Sequence, residues 1–254
     1  MSEQALRVIV TGAGRGIGHE IVRAFVRQGA FVSLSDIDGA AAEQAADQIN
    51  AELSEDRVRA YEVDVADVEA VDQMMDDFSG HVGPITTVIA NAGVTVYKPF
   101  LETDVDLFDR IVGINVRGTY FTAQAGAKRM VENQVPGRIV LLSSVTGQRA
   151  FRDFSLYSTT KAAVAMMAQA MALELGEFGI NVNAISPGAI LTERTRREEP
   201  EYGPSWAEVI PKGRVGHVED IANTALWLAS DASSHVTGQN IAVDGGWLTY
   251  GRIP

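Results

Sequence analysis

"RVIVTGAGRGIGHEIV", residues 7–22, sets a short apolar run against the glycines Gly12, Gly14, Gly16 and Gly18, then resumes with apolar residues at helical spacing. A run such as "VIV" that does not alternate with polar residues reads as a strand covered on both faces. Glycines after it let the backbone approach a ligand closely. A helix opening at Gly16 would present unpaired amide N–H groups and the positive end of its dipole. Strand, glycine turn and helix in that order make a cradle for an anion, the pyrophosphate of a dinucleotide above all. The spacing here is G-x-x-x-G-x-G, not the commoner G-x-G-x-x-G. On the loop alone, a plain flexible turn stays open as the alternative.

The pattern repeats along the chain. Strands are predicted at Leu6–Thr11, Ala30–Asp36, Arg57–Asp64, Ile85–Asn91, Gly137–Ser144, Ile180–Ser186 and Asn240–Asp244. Helices are predicted at Gly16–Gln28, Gly39–Leu53, Val68–Ser79, Val105–Glu132, Ser155–Glu177 and Val218–Ala229. Strand and helix in alternation imply a parallel sheet with helices on both faces. Right-handed crossovers make it a Rossmann-like, doubly wound α/β fold, here with seven strands. No composition break or repeat divides residues 1–254, so a single domain is expected. One segment stands apart: "LTERTRREEPEYGPSWAEVIPKGRV", Leu191–Val215, is long, charged and marked by Pro and Gly. It reads as a loop serving as a substrate lid around residues 189–213.

Composition excludes several chemistries. There is no cysteine, hence no disulfide, thiolate nucleophile or Cys-ligated zinc, and the four histidines (His19, His81, His217, His235) show no paired spacing, so no metal is expected. A net charge of -12 argues against a nucleic-acid partner. The longest apolar run, Ala162–Leu175, is broken by Gln169 and Glu174 and is too short to cross a bilayer. Met1–Val10 lacks the pattern of a secretory signal, so a cytoplasmic location is expected.

In a sheet of this kind, ligands lie beyond the carboxyl ends of the strands. Asp36 ends the second strand, where a carboxylate would accept hydrogen bonds from ribose hydroxyls and repel the extra phosphate of NADP. Arg15 pulls the other way, as a partner for that phosphate. With no cation following Asp36 in "DIDGA", NAD is expected, with NADP second. The plain alternative makes Asp36 a turn residue or the N-cap of the helix at "GAAAEQAA". Asp64 either reaches an adenine amino group or caps the next helix. Asn91, Ala92 and Gly93 close the fourth strand, Ser143 and Ser144 the fifth. Pro187 and Gly188 turn the chain after the sixth, and Thr192 is placed to bond a carboxamide or phosphate. Singly, each is equally well read as turn chemistry. Together they line one edge of one sheet.

The set "TGAGRGIG", "NAG", "LLSS", "YSTTK", "SPG" and "VTGQNIAVDGGW" resembles the short-chain dehydrogenase/reductase family almost from end to end. The resemblance implies that Tyr157 is the general acid/base and that Lys161 steadies its phenolate and holds the nicotinamide ribose. It implies that Ser144, thirteen residues before Tyr157, donates to the substrate oxygen, and that Asn115 holds a water in a proton relay. An unperturbed phenol has a pKa of about 10, which the amine is expected to lower. The cofactor-facing positions it implies are Gly12, Arg15, Gly16, Ile17, Gly18, Asp36, Asp64, Val65, Asn91, Ala92, Gly93, Pro187, Gly188, Ile190 and Thr192, with Tyr157 and Lys161.

For the substrate, Ser144, Thr146, Gln148, Tyr157 and Trp206 are the candidate contacts, with Phe151 and Phe154 as further walls. The polar rim (Thr95, Lys98, Arg149, Arg152) suggests a polar secondary alcohol such as a sugar, polyol or hydroxy acid. Two alternatives remain: an NADPH-dependent 3-oxoacyl thioester reductase, favoured by Arg15, and a non-catalytic dinucleotide-binding sensor, which would predict a broken tetrad. In "KAAVAMMAQAMALEL", Val164, Met167 and Met171 form one apolar stripe, and Met166, Ala170 and Leu173 a second. One stripe meets the sheet; the other meets a second subunit or a neighbouring helix. The resemblance implies a homotetramer.

Overall fold

Val8, Ile9 and Val10 are all fully buried because their side chains enter two different cores: Val8 and Val10 one, Ile9 the other. That is why the first strand reads as an unbroken apolar run. The computed structural model describes residues 5–54, 56–251 and 253–254; residues 1–4, which carry part of the N-terminal reading, lie outside them.

The chain runs β1 (Arg7–Thr11), α1 (Gly16–Arg27), β2 (Phe31–Asp36), α2 (Gly39–Leu53), β3 (Val58–Glu62), α3 (Val68–Val82) and β4 (Thr87–Ala90). It continues through α4 (Val105–Val112), α5 (Thr119–Glu132), β5 (Arg138–Leu142), α6 (Ser155–Leu175) and β6 (Asn181–Pro187). The last part is β7 (Ile190–Leu191), α7 (Glu193–Glu198), α8 (Tyr202–Val209), β8 (Gly216–His217), α9 (Val218–Ala229), β9 (Asn240–Val243) and α10 (Trp247–Tyr250). The main sheet has seven parallel strands in the order β3-β2-β1-β4-β5-β6-β9, as expected. Its winding reverses between β1 and β4, the point at which sheets of this kind take ligands beyond their strand ends.

One core lies under α1, α2 and α9, with Ile21, Phe25, Ile49, Ile221 and Leu228. The other lies under α3, α5 and α6, with Met75, Phe78, Met130, Val164 and Ala168. Asp38, Asp67 and Asp104 cap α2, α3 and α4 by accepting first-turn N–H bonds.

Two expectations need correction. Residues 105–132 are not one regular helix: α4 passes into α5 through a π-helical segment, Gly113–Gly118. Gly118 lies in it against Val65, and a Cβ there would stand 2.7 Å from a Val65 methyl. The chain between Leu191 and Val215 is not an irregular loop, for it folds into α7 and α8. Thr192 and Thr195 form a capping box at α7. Val209, Ile210 and Val215 join Val145, Ala189 and Trp247 in a small third core. Charge and proline dominate the composition of this segment and hide its sparse apolar anchors.

The stripes of α6 separate as drawn from the sequence. Val164 is fully buried and Met167 and Met171 pack on the core, whereas Met166 is 58% and Leu173 88% exposed. On α4 and α5, Val105, Phe108 and Tyr120 are likewise exposed. No described helix is long and apolar enough to cross a membrane.

Candidate active site

At the end of β1, Asn91 gathers the strand edge: its Nδ2 donates to the carbonyls of Thr11 at 2.9 Å and Gly12 at 2.8 Å. Its side chain therefore braces the glycine turn. Gly18 packs into the same corner, and a Cβ there would lie 2.5 Å from the Gly12 carbonyl and 2.6 Å from that amide. Unlike α2, α3 and α4, helix α1 has no side-chain cap, and its first turn carries no acid. Space beyond Gly16 is open, and a cleft of about 300 Å³ borders Gly14, Arg15, Gly16, His19, Gln44 and Glu193. Uncapped amides at a positive dipole end, facing open space, fit the diphosphate of a dinucleotide.

Asp36 does not cap α2; that carboxylate is Asp38. Asp36 accepts instead from the Gly14 N–H at 3.0 Å and the Asp38 N–H at 3.2 Å, which holds it at the glycine turn. Arg15 pairs with Asp38 at 3.1 Å. Asp64 is exposed and accepts from Ala66 N at 2.9 Å, while Asp67 caps α3, so the capping alternative fails for Asp64 also. Val65 is buried.

Tyr157 and Lys161 share a face of the first turns of α6. The register of that helix is set by Ser143, whose Oγ donates to the Lys161 carbonyl at 2.7 Å. This leaves Ser144 as the serine at the end of β5 with its hydroxyl toward the site; it accepts from Thr146 Oγ1 at 3.0 Å and Thr146 N at 3.2 Å. Lys161 is 4% exposed. Its Nζ donates to the Leu142 carbonyl at 2.7 Å and lies 5.8 Å from the Tyr157 ring centroid. Burial lowers its pKa from 10.5 to about 8. Gly93 makes room for this amine, since a Cβ there would stand 3.2 Å from Nζ and 3.3 Å from Asn115 Oδ1.

The phenol departs from expectation. Burial raises the Tyr157 pKa; what opposes that rise is the Thr95 and Ser144 hydroxyls and the charge of Arg194. Asn115, fully buried in the π-helical segment, is also fully engaged. Its Oδ1 accepts from Val94 N at 2.8 Å, and its Nδ2 donates to Val94 O at 3.0 Å and Thr160 Oγ1 at 3.1 Å. The amide ties the strand end at β4 to α6.

Beyond β6, Gly188 N donates to Val243 O at 3.0 Å, and Ile190 is buried in the β7–β8 ribbon. The Thr192 hydroxyl, expected to reach a carboxamide or phosphate, caps α7 by accepting from Thr195 N at 3.2 Å. Of the expected walls, Phe154 meets the Tyr157 ring edge-on at 5.3 Å and the Tyr97 ring at 3.9 Å. Phe151 and Trp206 instead pack on Trp247, at 5.1 and 6.0 Å between centroids. Gln148 is exposed. Tyr97 and Tyr202 belong to no motif that points to chemistry, and Trp247 ends the stretch "VTGQNIAVDGGW", which by itself assigns it no role. Only the position of Tyr97, just past the "NAG" at the end of β4, signals it.

A family model described as "Enoyl-(Acyl carrier protein) reductase" matches residues 12–248. Among relatives, Galactitol 2-dehydrogenase (L-tagatose-forming) of Cereibacter sphaeroides is 38% identical, over 95% of this chain and 94% of that one. Carbonyl reductase (NADPH) 2 of Sus scrofa is 35% identical over 98% of both. A solved short-chain type dehydrogenase/reductase from Mycobacterium marinum superposes with a TM-score of 0.89 at 35% identity, covering 96% of each chain. Sheet order, strand-edge residues and relatives agree: the chain belongs to the short-chain dehydrogenase/reductase family.

Proposed function

We propose that this chain is an NAD-dependent oxidoreductase that interconverts a polar secondary alcohol, of the sugar or polyol class, and its ketone. The observation that carries the reading is the convergence of Tyr157, Ser144 and Lys161 at the end of β5, beside the uncapped start of α1. The names of the relatives support the substrate class: a galactitol dehydrogenase, an L-xylulose reductase of Homo sapiens at 35% identity and a meso-2,3-butanediol dehydrogenase of Serratia marcescens at 35% identity. The first-turn amides of α1 with Gly12, Arg15, Ile17 and Gly18 would hold the diphosphate, Asp36 the adenosine ribose, and Val65 and Asn91–Gly93 the adenine side. Lys161 with residues 187–192 would hold the nicotinamide half. When bound, the nicotinamide supplies the hydride acceptor or donor.

Ser144 donates to the substrate oxygen and fixes it beside Tyr157 Oη. In oxidation the phenolate takes the hydroxyl proton as hydride leaves the carbinol carbon; in reduction the phenol returns it. Burial resists formation of the phenolate, so the neighbouring Thr95 and Ser144 hydroxyls matter to the proton transfer. Lys161 adds a charge whose own proton is held loosely near neutrality, with a pKa of about 8. Asn115 positions Val94 and α6 around this amine. We further propose a cytoplasmic homotetramer, which the exposed apolar side chains of α4, α5 and α6 support.

A second reading, an NADPH-dependent 3-oxoacyl thioester reductase, is favoured by the description of the matching family and by the pig relative's NADPH. The Asp36 carboxylate weighs against it. One test is a panel of polyols, ketoses and 3-oxoacyl thioesters assayed with each cofactor. The other is Tyr157→Phe, which should still bind NADH but lose at least about 100-fold in turnover. Unchanged turnover in that variant would remove the assigned acid/base.

A further inference from the structure

Arg15 is the only cation among the residues that border the cleft beside the glycine turn, and it is already occupied. Asp38 holds it with one carboxylate oxygen, Oδ2, at 3.1 Å. With the other, Oδ1, Asp38 accepts from Ala41 N at 3.1 Å as the cap of α2. Its own N–H donates to Asp36 Oδ1 at 3.2 Å, and Asp36 Oδ2 closes the circuit on Gly14 N at 3.0 Å. Gly14 and Arg15 are adjacent in the chain, as are the residues from Asp36 to Asp38. Three of these hydrogen bonds join the glycine turn, two carboxylates and one guanidinium in a closed ring, and the fourth ties Asp38 to α2. Because Asp38 is the helix cap, its carboxylate is oriented by the backbone and is not a freely rotating surface charge.

We propose that Asp38 is a specificity-positioning residue: it sequesters Arg15 and so denies the adenosine 2′-phosphate the cation of the glycine turn. The inference rests on the reading of this cleft as the adenosine site. Within that reading it assigns the discrimination to two carboxylates acting differently. Asp36 faces the ribose; Asp38 acts through Arg15. A 2′-phosphate arriving here meets a locus of net charge −1 from one guanidinium and two carboxylates (1 − 2), and would have to displace Asp38 from Arg15. With Asp38 made neutral, the guanidinium is free to form a charge-assisted bond to that phosphate.

The test uses Asp38→Asn, because asparagine caps a helix as well as aspartate does and keeps α2 in place. Calorimetric dissociation constants are measured for 5′-AMP and for adenosine 2′,5′-bisphosphate, so that the readout needs no turnover. The ratio of the two constants should shift toward the bisphosphate by about tenfold, the scale of one charged hydrogen bond gained with one like charge removed. Arg15→Ala should change the ratio little in the native background and should abolish the shift in the Asp38→Asn background. A general loosening of the turn would move both ligands together and leave the ratio unchanged. A ratio unmoved by Asp38→Asn, or an equal effect of Arg15→Ala in both backgrounds, overturns the proposal while leaving the adenosine site intact. Failure of the native protein to bind either nucleotide would overturn the cofactor reading itself.

Discussion

Replacing Lys161 with methionine should make the protein more stable at neutral pH, and the advantage should vanish in alkali. The amine is 4% exposed, and its one hydrogen-bond partner among the described residues is the Leu142 carbonyl. Its folded pKa is about 8, against 10.5 for a free lysine. Holding it charged inside the protein at about pH 7 thus costs roughly 3 kcal/mol relative to the neutral amine. Methionine fills similar volume without the charge but leaves Leu142 O without its donor, so a net gain of about 1–2 kcal/mol remains. Between pH 8 and 10.5 the unfolded chain keeps a proton that the folded chain has released, so native stability rises with pH, by up to about 1.4 kcal/mol per pH unit. The variant lacks this rise. Urea unfolding of both proteins at about pH 7, 8.5 and 10 gives the difference directly, and groups common to both cancel. Parallel stability profiles would show that the amine keeps its ordinary pKa, and the reasoning from burial would be wrong.

Two further substitutions probe the frame of the site. Gly18→Ala puts a Cβ 2.5 Å from the Gly12 carbonyl; the backbone must move, and 5′-AMP affinity by calorimetry should fall more than about tenfold, with about 1–3 kcal/mol of stability lost in urea. Unchanged affinity would mean that the turn does not cradle the nucleotide. Asn115→Ala strands the Val94 N–H and C=O, at a cost of about 1–3 kcal/mol. As a positioning change it should lower kcat far more than it raises KM, and a variant with native kcat would reduce Asn115 to a packing residue.

What the sequence conveys well here is what arises from period and order. Continuous apolar runs between helical patterns are enough to place seven parallel strands and the edge at their carboxyl ends, because burial on both faces leaves no other composition for β1, β4 or β5. Motif spacing likewise favours Ser144 over Ser143, and the Ser143 hydroxyl is engaged by the Lys161 carbonyl. What composition hides is local geometry set by tertiary contact. The π-helical segment around Asn115, "GINVRG", carries two glycines, and the fit of Gly118 against Val65 is a contact that no helical period announces. Helices α7 and α8 are masked by charge: α7 starts on the Thr192–Thr195 capping box, and Trp206 of α8 packs on Trp247. The pairing of Arg15 with Asp38 joins residues 23 apart in the chain, and no spacing rule announces it.

The direction of hydrogen bonds in "SSVTG" carries the argument one step further. Ser144 Oγ receives two donors, the Thr146 N–H and the Thr146 hydroxyl. An oxygen that accepts twice turns its own O–H outward, so Thr146 commits Ser144 to the role of donor. A donor is what both states of the reaction need, because the substrate oxygen is an acceptor as alcohol and as ketone. In the proposed mechanism the phenol does the reverse, giving its proton in one direction and taking it in the other, and its side-chain partners are the Thr95 and Ser144 hydroxyls. The site thus separates one fixed donor from one reversible proton carrier, with Thr146 enforcing the first and burial with Thr95 and Ser144 tuning the second. On the proposed reading, Thr146 orients the Ser144 donor in addition to standing among the candidate substrate contacts.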